Sequence, residues 1–193
     1  NEITLVTANG TQQVTATSNQ YYLFSSWTNT SGYITAARTI TANFTAVTYS
    51  VNITKTSHIN SVSTNSVGPL TGQVVVEAIG TSLKVGSTTV TTSCETGWTI
   101  SHWVYMDPAT GQYTEAIYPG GSSVTIDDTN NFVAYAKRAT YTISFNASAG
   151  GQVSPASISE VPYDSTVSIN SSTGILTIED PDTSSPSTIG SYL

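Results

Sequence analysis

The sequence predicts an all-β protein, made of two small antiparallel β-sandwich domains with the strand set incomplete at both chain ends. Three observations predict this. Apolar and polar residues alternate with period two, and no window sustains helical spacing. The alternating stretches are short, rich in β-branched and aromatic residues, and broken by Gly, Pro, Asn and Asp. Finally, a phrase recurs. "YYLFSSW" (Tyr21 to Trp27) returns as "GWTISHW" (Gly97 to Trp103), with aromatic, apolar, Ser and Trp in the same order. Regular short strands between turn signals point to an immunoglobulin-like sandwich.

Along the chain, "NEITLVTA" is the first candidate strand, and Asn9-Gly10 behind it is a hairpin-turn signal. "YYLFSSW" and "TITANFTAV" follow. The next strands are "TYSVNITK", "GQVVVEAIG", "TSLKVGSTTVTTS", "WTISHWVYM", "SSVTIDD" and "NFVAYAKR", then "TYTISFNAS", "STVSINSS" and "GILTIED". The last stretch, "PDTSSPSTIGSYL", reads as a loop or cap, because Pro181 and Pro186 argue against a central strand.

The landmarks divide the chain into three copies of one pattern. Residues 1–47 form a first repeat that lacks its opening strand, its "NEITLVTANG" aligning with "ASISEVPYDS" of the third copy. Residues 48–139 form a complete middle domain. Residues 140–193 form a partial third repeat that either stands alone or packs with the first. The joints "AVTYSVNI" and "RATYTISF" carry the same Thr-Tyr strand start. Where a third Trp phrase is due, "GILTIED" has none. Trp27 and Trp103 are read as equivalent core anchors, each filling its sandwich with a large ring.

Composition excludes several functions. The chain has 193 residues, a net charge of −7 and only five Lys plus Arg. That leaves no basic footprint for nucleic acid, and an anionic membrane surface repels it. No apolar run approaches the length of a membrane span. Charged residues make up 9%, while Ser and Thr number 28 and 34, so the surface is polar but uncharged. Residue 1 is Asn, which reads as a mature or excised product. The lone cysteine, Cys94, cannot form an internal disulfide and reads as buried and inert.

Six Asn-x-Ser/Thr sequons are present: Asn9, Asn29, Asn43, Asn52, Asn146 and Asn170. So rich a content of Asn, Ser and Thr yields several by chance, yet each is competent for N-linked glycosylation. Asn43 lies between Ala42 and Phe44, and Asn52 between Val51 and Ile53, so the alternation turns both outward.

No residue is assigned a catalytic, cofactor-binding or metal-binding role. Ser101 and His102 are adjacent, whereas a triad needs its members apart in sequence and convergent in space. His58 reads as a solvent-facing loop residue. "IDDTNNF" gathers Asp127, Asp128, Asn130 and Asn131, a density of oxygens that suits calcium, but an Asx-rich turn explains it equally well. "EDPD" (Glu179 to Asp182) is similar. Trp98, Trp103, Tyr105, Tyr113 and Tyr118 are either core and sheet-shielding aromatics or a sugar-stacking platform.

Several pieces resemble the internalin B-repeat family and related secreted repeats. They are the strand start Tyr141-Thr142-Ile143, the turn Gly150-Gly151-Gln152-Val153-Ser154-Pro155, Trp27, and the closing strand Thr39-Ile40-Thr41-Ala42-Asn43-Phe44. The resemblance implies a small β-fold used as a stalk or spacer in surface proteins, not an enzyme. By composition alone the chain is also similar to subunits of archaeal threads and pili built by donor-strand complementation.

Two functions follow as expectations. The first is an extracellular filament of identical subunits joined head to tail, each donating a strand to the next. The expected donor is "NEITLVTA", with Ile3 and Leu5 on one face and Val6 on the other; "GILTIED", with Ile175, Leu176 and Ile178, is the second choice. The second is a fragment of a surface adhesin or stalk, with or without carbohydrate binding.

Overall fold

A computed structural model describes residues 1–7, 9–107 and 109–181. The chain is all-β, and among the described residues there is no helix. None is therefore long and apolar enough to cross a membrane.

Two hairpins open the chain. β1 (Glu2–Thr7) pairs with β2 (Gly10–Thr15), and β3 (Tyr22–Thr28) pairs with β4 (Thr41–Ala46). The middle holds β5 (Thr48–Lys55), β6 (Ile59–Val62), β7 (Ser66–Thr71), β8 (Val74–Ile79) and β9 (Ser82–Val85). It continues with β10 (Thr88–Val90), β11 (Thr92–Cys94), β12 (Trp98–Asp107), β13 (Gln112–Ile117), β14 (Ser123–Ile126) and β15 (Asn130–Arg138). Two further hairpins follow: β16 (Thr140–Ser144) with β17 (Ser157–Pro162), and β18 (Thr166–Ile169) with β19 (Leu176–Glu179).

The middle is a β-sandwich. One sheet has the order β13-β12-β15-β5-β7 and the other β10-β9-β8-β14; β6 and β11 form a separate ribbon. Alternation decides what is inside. On β5, Tyr49, Val51 and Ile53 are buried while Asn52 and Thr54 face out. From the facing sheet come Val76, Ala78, Leu83, Val85, Val90 and Ile126, and Trp103 and Phe132 sit fully buried between the two. The cluster of core side chains is drawn entirely from residues between Tyr49 and Ala134.

One pairing departs from the antiparallel expectation. β15 runs parallel to β5, from Asn130↔Val51 to Ala134↔Lys55. The chain enters this sheet on β5 and leaves it on β15 after crossing the other sheet, which is the long connection that parallel neighbours need.

The repeat seen in the sequence has a counterpart in the ladders. β3 and β4 make three pairs from Tyr22↔Ala46 to Phe24↔Phe44, bulge, and make three more from Ser26↔Asn43 to Thr28↔Thr41. β12 and β15 do the same: three pairs from Trp98↔Arg138 to Ile100↔Ala136, a bulge, then His102↔Tyr135, Trp103↔Ala134 and Val104↔Val133. The extra residue is Ser25 in one and Ser101 in the other, and each Trp faces an Ala. β5–β7 and β16–β17 also match, with Tyr49↔Leu70 then Val51↔Val67 against Tyr141↔Val161 then Ile143↔Ile158.

β1–β2 forms a two-stranded sheet of its own ahead of β3, and "ASISEVPYDS" supplies β17, which pairs with β16. The expected Asn9-Gly10 turn shifts by one residue, because Thr7 pairs with Gly10. The stretch 182–193, with the expected cap and Asp182 of "EDPD", lies outside the described residues, as does Ala8 of the proposed donor.

Candidate functional site: the open sheet edges

The joints between units are built from one residue each. Val47 separates β4 from β5, and Ala139 separates β15 from β16. Val47 N–H donates to Tyr21 O (2.8 Å), and Ala139 N–H donates to Gly97 O (2.8 Å), so Tyr21 and Gly97 hold equivalent places. The two joints are wedged in opposite senses. At the first, Tyr21 lies against Gly72 and its hydroxyl donates to Asp127 Oδ2 (3.0 Å). Burial first, and the Asp127 carboxylate second, raise the Tyr21 pKa. At the second, the Tyr163 ring lies where a Gly97 side chain would stand. Tyr163 N–H also donates to Ala139 O (2.8 Å). Gly97 has φ +79, a left-handed conformation suited to glycine.

Beyond the joints the units differ in what covers them. In the middle, β15 lies between β12 and β5, and β5 between β15 and β7. Among the described residues, β4 pairs only with β3, and β16 only with β17. Each therefore leaves open the edge that its middle counterpart closes. Side chains that would sit behind these edges are half-buried: Phe24, Trp27, Ile40 and Ala42 at one end, Ile143, Phe145 and Ile158 at the other. The inner face of β3–β4 also carries a groove of about 230 Å³ between Thr17, Asn19, Tyr22 and Phe44.

Charge separates these edges from those of the middle sandwich, although the open strands β2, β3 and β18 are likewise uncharged. Sheet edges are normally blunted by charge, Pro or brevity. In the middle, β7 carries Pro69, β13 carries Glu115, β10 is three residues long, and β14 runs into Asp127-Asp128. Residues 140–147, "TYTISFNA", have neither charge nor Pro. Along residues 38–46 the one charge is Arg38, and its guanidinium turns back to Ser31 O (2.7 Å) and Tyr33 O (3.3 Å).

The residues singled out from the sequence scatter over separate roles. Trp103 is fully buried, whereas Trp27 keeps part of its ring exposed and packs against Phe24. The sequence reads both as equivalent core anchors; full burial is found at Trp103 alone. The places are equivalent, but only the middle supplies strands on every side. Of the donor residues, Ile3 is half-buried, Leu5 is 39% exposed and Val6 82% exposed, and all three lie in a strand already paired with β2.

Five sequons, Asn9, Asn29, Asn52, Asn146 and Asn170, are exposed. Asn43 alternates with Ala42 and Phe44 and is half-buried, its Nδ2 donating to Ser26. Asn29 Nδ2 donates to Thr39 O (3.1 Å), and Asn170 Oδ1 caps a turn by accepting from Ser172 N and Thr173 N.

His58 lies in a turn with its side chain partly in solvent, and it has partners there. It takes φ +65, stacks on Trp98 at 3.6 Å with ring planes 3° apart, and places Nδ1 2.9 Å from Glu95 Oε2. Arg138 lies over the same Trp98 ring, 5.0 Å from its centroid. His102 stacks on Tyr135, and burial lowers its pKa. Cys94 is half-buried against the core, and burial raises its thiol pKa.

The oxygens of "IDDTNNF" diverge. Asp127 accepts from Tyr21, Asp128 accepts from Thr129 N, and Asn130 is buried. Among the described residues no three His, Cys, Asp or Glu side chains cluster as a metal set. The aromatic group splits as well: Trp103 is core, Trp98 is covered by His58, Tyr105 stacks near Phe132, and Tyr113 and Tyr118 stay exposed.

The open edges were legible only in part. Missing strands could be sensed from incomplete copies, but "SVGPLT" (β7) was not among the expected strands, and "SISEVP" (β17) entered only as the third-copy element aligned with the N-terminus. Without them neither the neighbours of β5 and β16 nor the open side could be assigned. Compared with known proteins, the chain matches no family model, and no curated protein or solved structure matches it significantly.

Proposed function

We propose that the chain is a non-enzymatic structural subunit of an extracellular cell-surface filament, in which identical copies join head to tail by β-strand complementation. The observation that carries this reading is the pair of open, almost uncharged edges on β4 and β16, one near each end of the described chain. A contact between two different edges is heterologous, and repeating it builds an open fibre rather than a closed ring. The resemblance to secreted β-repeats and the exposed sequons, as acceptors of N-linked glycans, support a location outside the cell. The side chains able to do chemistry are used in packing: His58 on Trp98, His102 on Tyr135, Cys94 against the core.

A second reading is a stalk or adhesin built from the same repeats. It is favoured by the exposed rings of Tyr113 and Tyr118, which suit stacking on sugars.

Electron microscopy of the native chain, beside a chain lacking Asn1 to Ala8, tests the filament. Uniform fibres are expected from the native chain. Fibres lost on truncation would make β1 the donor strand, while fibres that survive would place the contact elsewhere. Monodisperse monomers at every concentration would overturn the filament and leave the stalk.

A further inference from the structure

We infer that residues 38–42 of one copy pair in parallel with residues 143–147 of a second copy, closing a four-stranded sheet in the order β3-β4-β16-β17. This rests on the head-to-tail reading and names the seam it would use. The seam already exists once inside the chain, as the β15–β5 ladder. Residues of β15 correspond to those of β4 92 positions earlier, because Arg138 and Ala46, like Ala134 and Ala42, hold the same ladder places. Residues of β5 correspond to those of β16 92 positions later, because Thr48 and Thr140, like Val51 and Ile143, also hold the same ladder places. The parallel register therefore carries across directly. Asn131↔Asn52 becomes Thr39↔Ser144, and Phe132↔Ile53 becomes Ile40↔Phe145.

Three features of the chain suit that register. Phe132 and Ile53 are buried, and their counterparts Ile40 and Phe145 are apolar and half-buried, awaiting a cover. The outward positions are polar, with Thr39, Thr41, Ser144 and Asn146 all exposed, so the Asn146 sequon keeps to the outer face. The strands also stop where the partner is missing. β15 begins at Asn130, but β4 begins only at Thr41, three residues after the equivalent point, and β16 ends at Ser144 where β5 continues to Lys55. Phe145 N–H still donates to Ala156 O (2.8 Å), and the seam would extend both strands along their open sides.

Cysteine cross-linking tests the register. Thr39→Cys and Ser144→Cys are placed together in a Cys94→Ala chain, both on exposed polar sites. Adjacent strands lie about 4.8 Å apart, within disulfide reach. Mild oxidation should give a concentration-dependent ladder of covalent dimers, trimers and higher oligomers. Mixing the two single variants should stop at dimers. A control pairing Thr39→Cys with Thr140→Cys, roughly 13 Å out of register, should give none. Assembly seen by light scattering without cross-linking would overturn this seam while leaving the filament. Neither assembly nor cross-linking would overturn both. A fast-migrating cross-linked monomer would show the two ends closing within one copy and would overturn a second copy as the partner.

Discussion

Trp103 and Trp27 occupy the same place in the same ladder, each following a one-residue bulge and facing an alanine, yet one is sealed and the other is not. Tyr49 and Tyr141 make a second such pair. The Tyr49 hydroxyl lies 2.8 Å from Gly72 O and 3.2 Å from Ile126 O, and burial raises its pKa. Tyr141, in the equivalent register, is 55% exposed. Local sequence sets the ladder in both regions. Burial is set by the strands that lie next to it, and these differ between the middle and the ends.

The largest test of that contrast is truncation of the two rings. Trp103→Ala should cost about 3–5 kcal/mol of stability, as loss of a fully buried ring does. Trp27→Ala in the isolated chain should cost no more than about 1–2 kcal/mol, because part of its surface is already wet. Urea unfolding of both variants measures the difference, and equal costs would break the comparison.

A middle-sized effect is expected at the joints. Gly97→Ala meets both a left-handed backbone and the Tyr163 ring, and should cost about 2–4 kcal/mol. Gly72→Ala shares the positive φ, but Tyr21 lies 3.7 Å from the new carbon, so only about 1–2 kcal/mol of backbone strain remains. Hydrogen exchange across Ala139 to Tyr163 reads the first, and across Val47 to Gly72 the second. Adding Tyr163→Ala to Gly97→Ala should recover the steric part alone.

The smallest effect is electrostatic. Burial lowers the His102 pKa, so the neutral ring is favoured in the folded chain. Its contribution is complete above the ordinary histidine value and is lost as pH falls through the lower folded value. Unfolding midpoints measured from about pH 7.5 down to about pH 5 should show this loss, and His102→Gln should flatten it. An unchanged slope would place the titration elsewhere.

Much of the middle was legible from alternation and turn chemistry: "GQVVVEAIG", "WTISHWVYM" and "NFVAYAKR" are strands as their spacing required. The two Trp phrases lie in ladders with the same register and the same one-residue bulge. What escaped was whatever depends on neighbours. Pro69 hides β7 because Pro discourages a strand reading, yet β7 lies at a sheet edge where Pro is tolerated. The partners of His58, Trp98 and Glu95, could not be read because they are distant in sequence. The parallel β5–β15 contact joins strands almost eighty residues apart and has no local signature at all.

That contact has a mechanical consequence. The middle unit is entered through Val47 on β5 and left through Ala139 on β15, and these two strands are parallel neighbours. Tension applied to the two ends of this unit therefore slides β5 against β15. All five residue pairs of the ladder carry the load together, instead of opening one at a time as in a hairpin peeled from its end. With single-residue connections on either side, little slack is available before that ladder is loaded, and the unit is built to resist stretching along its own chain.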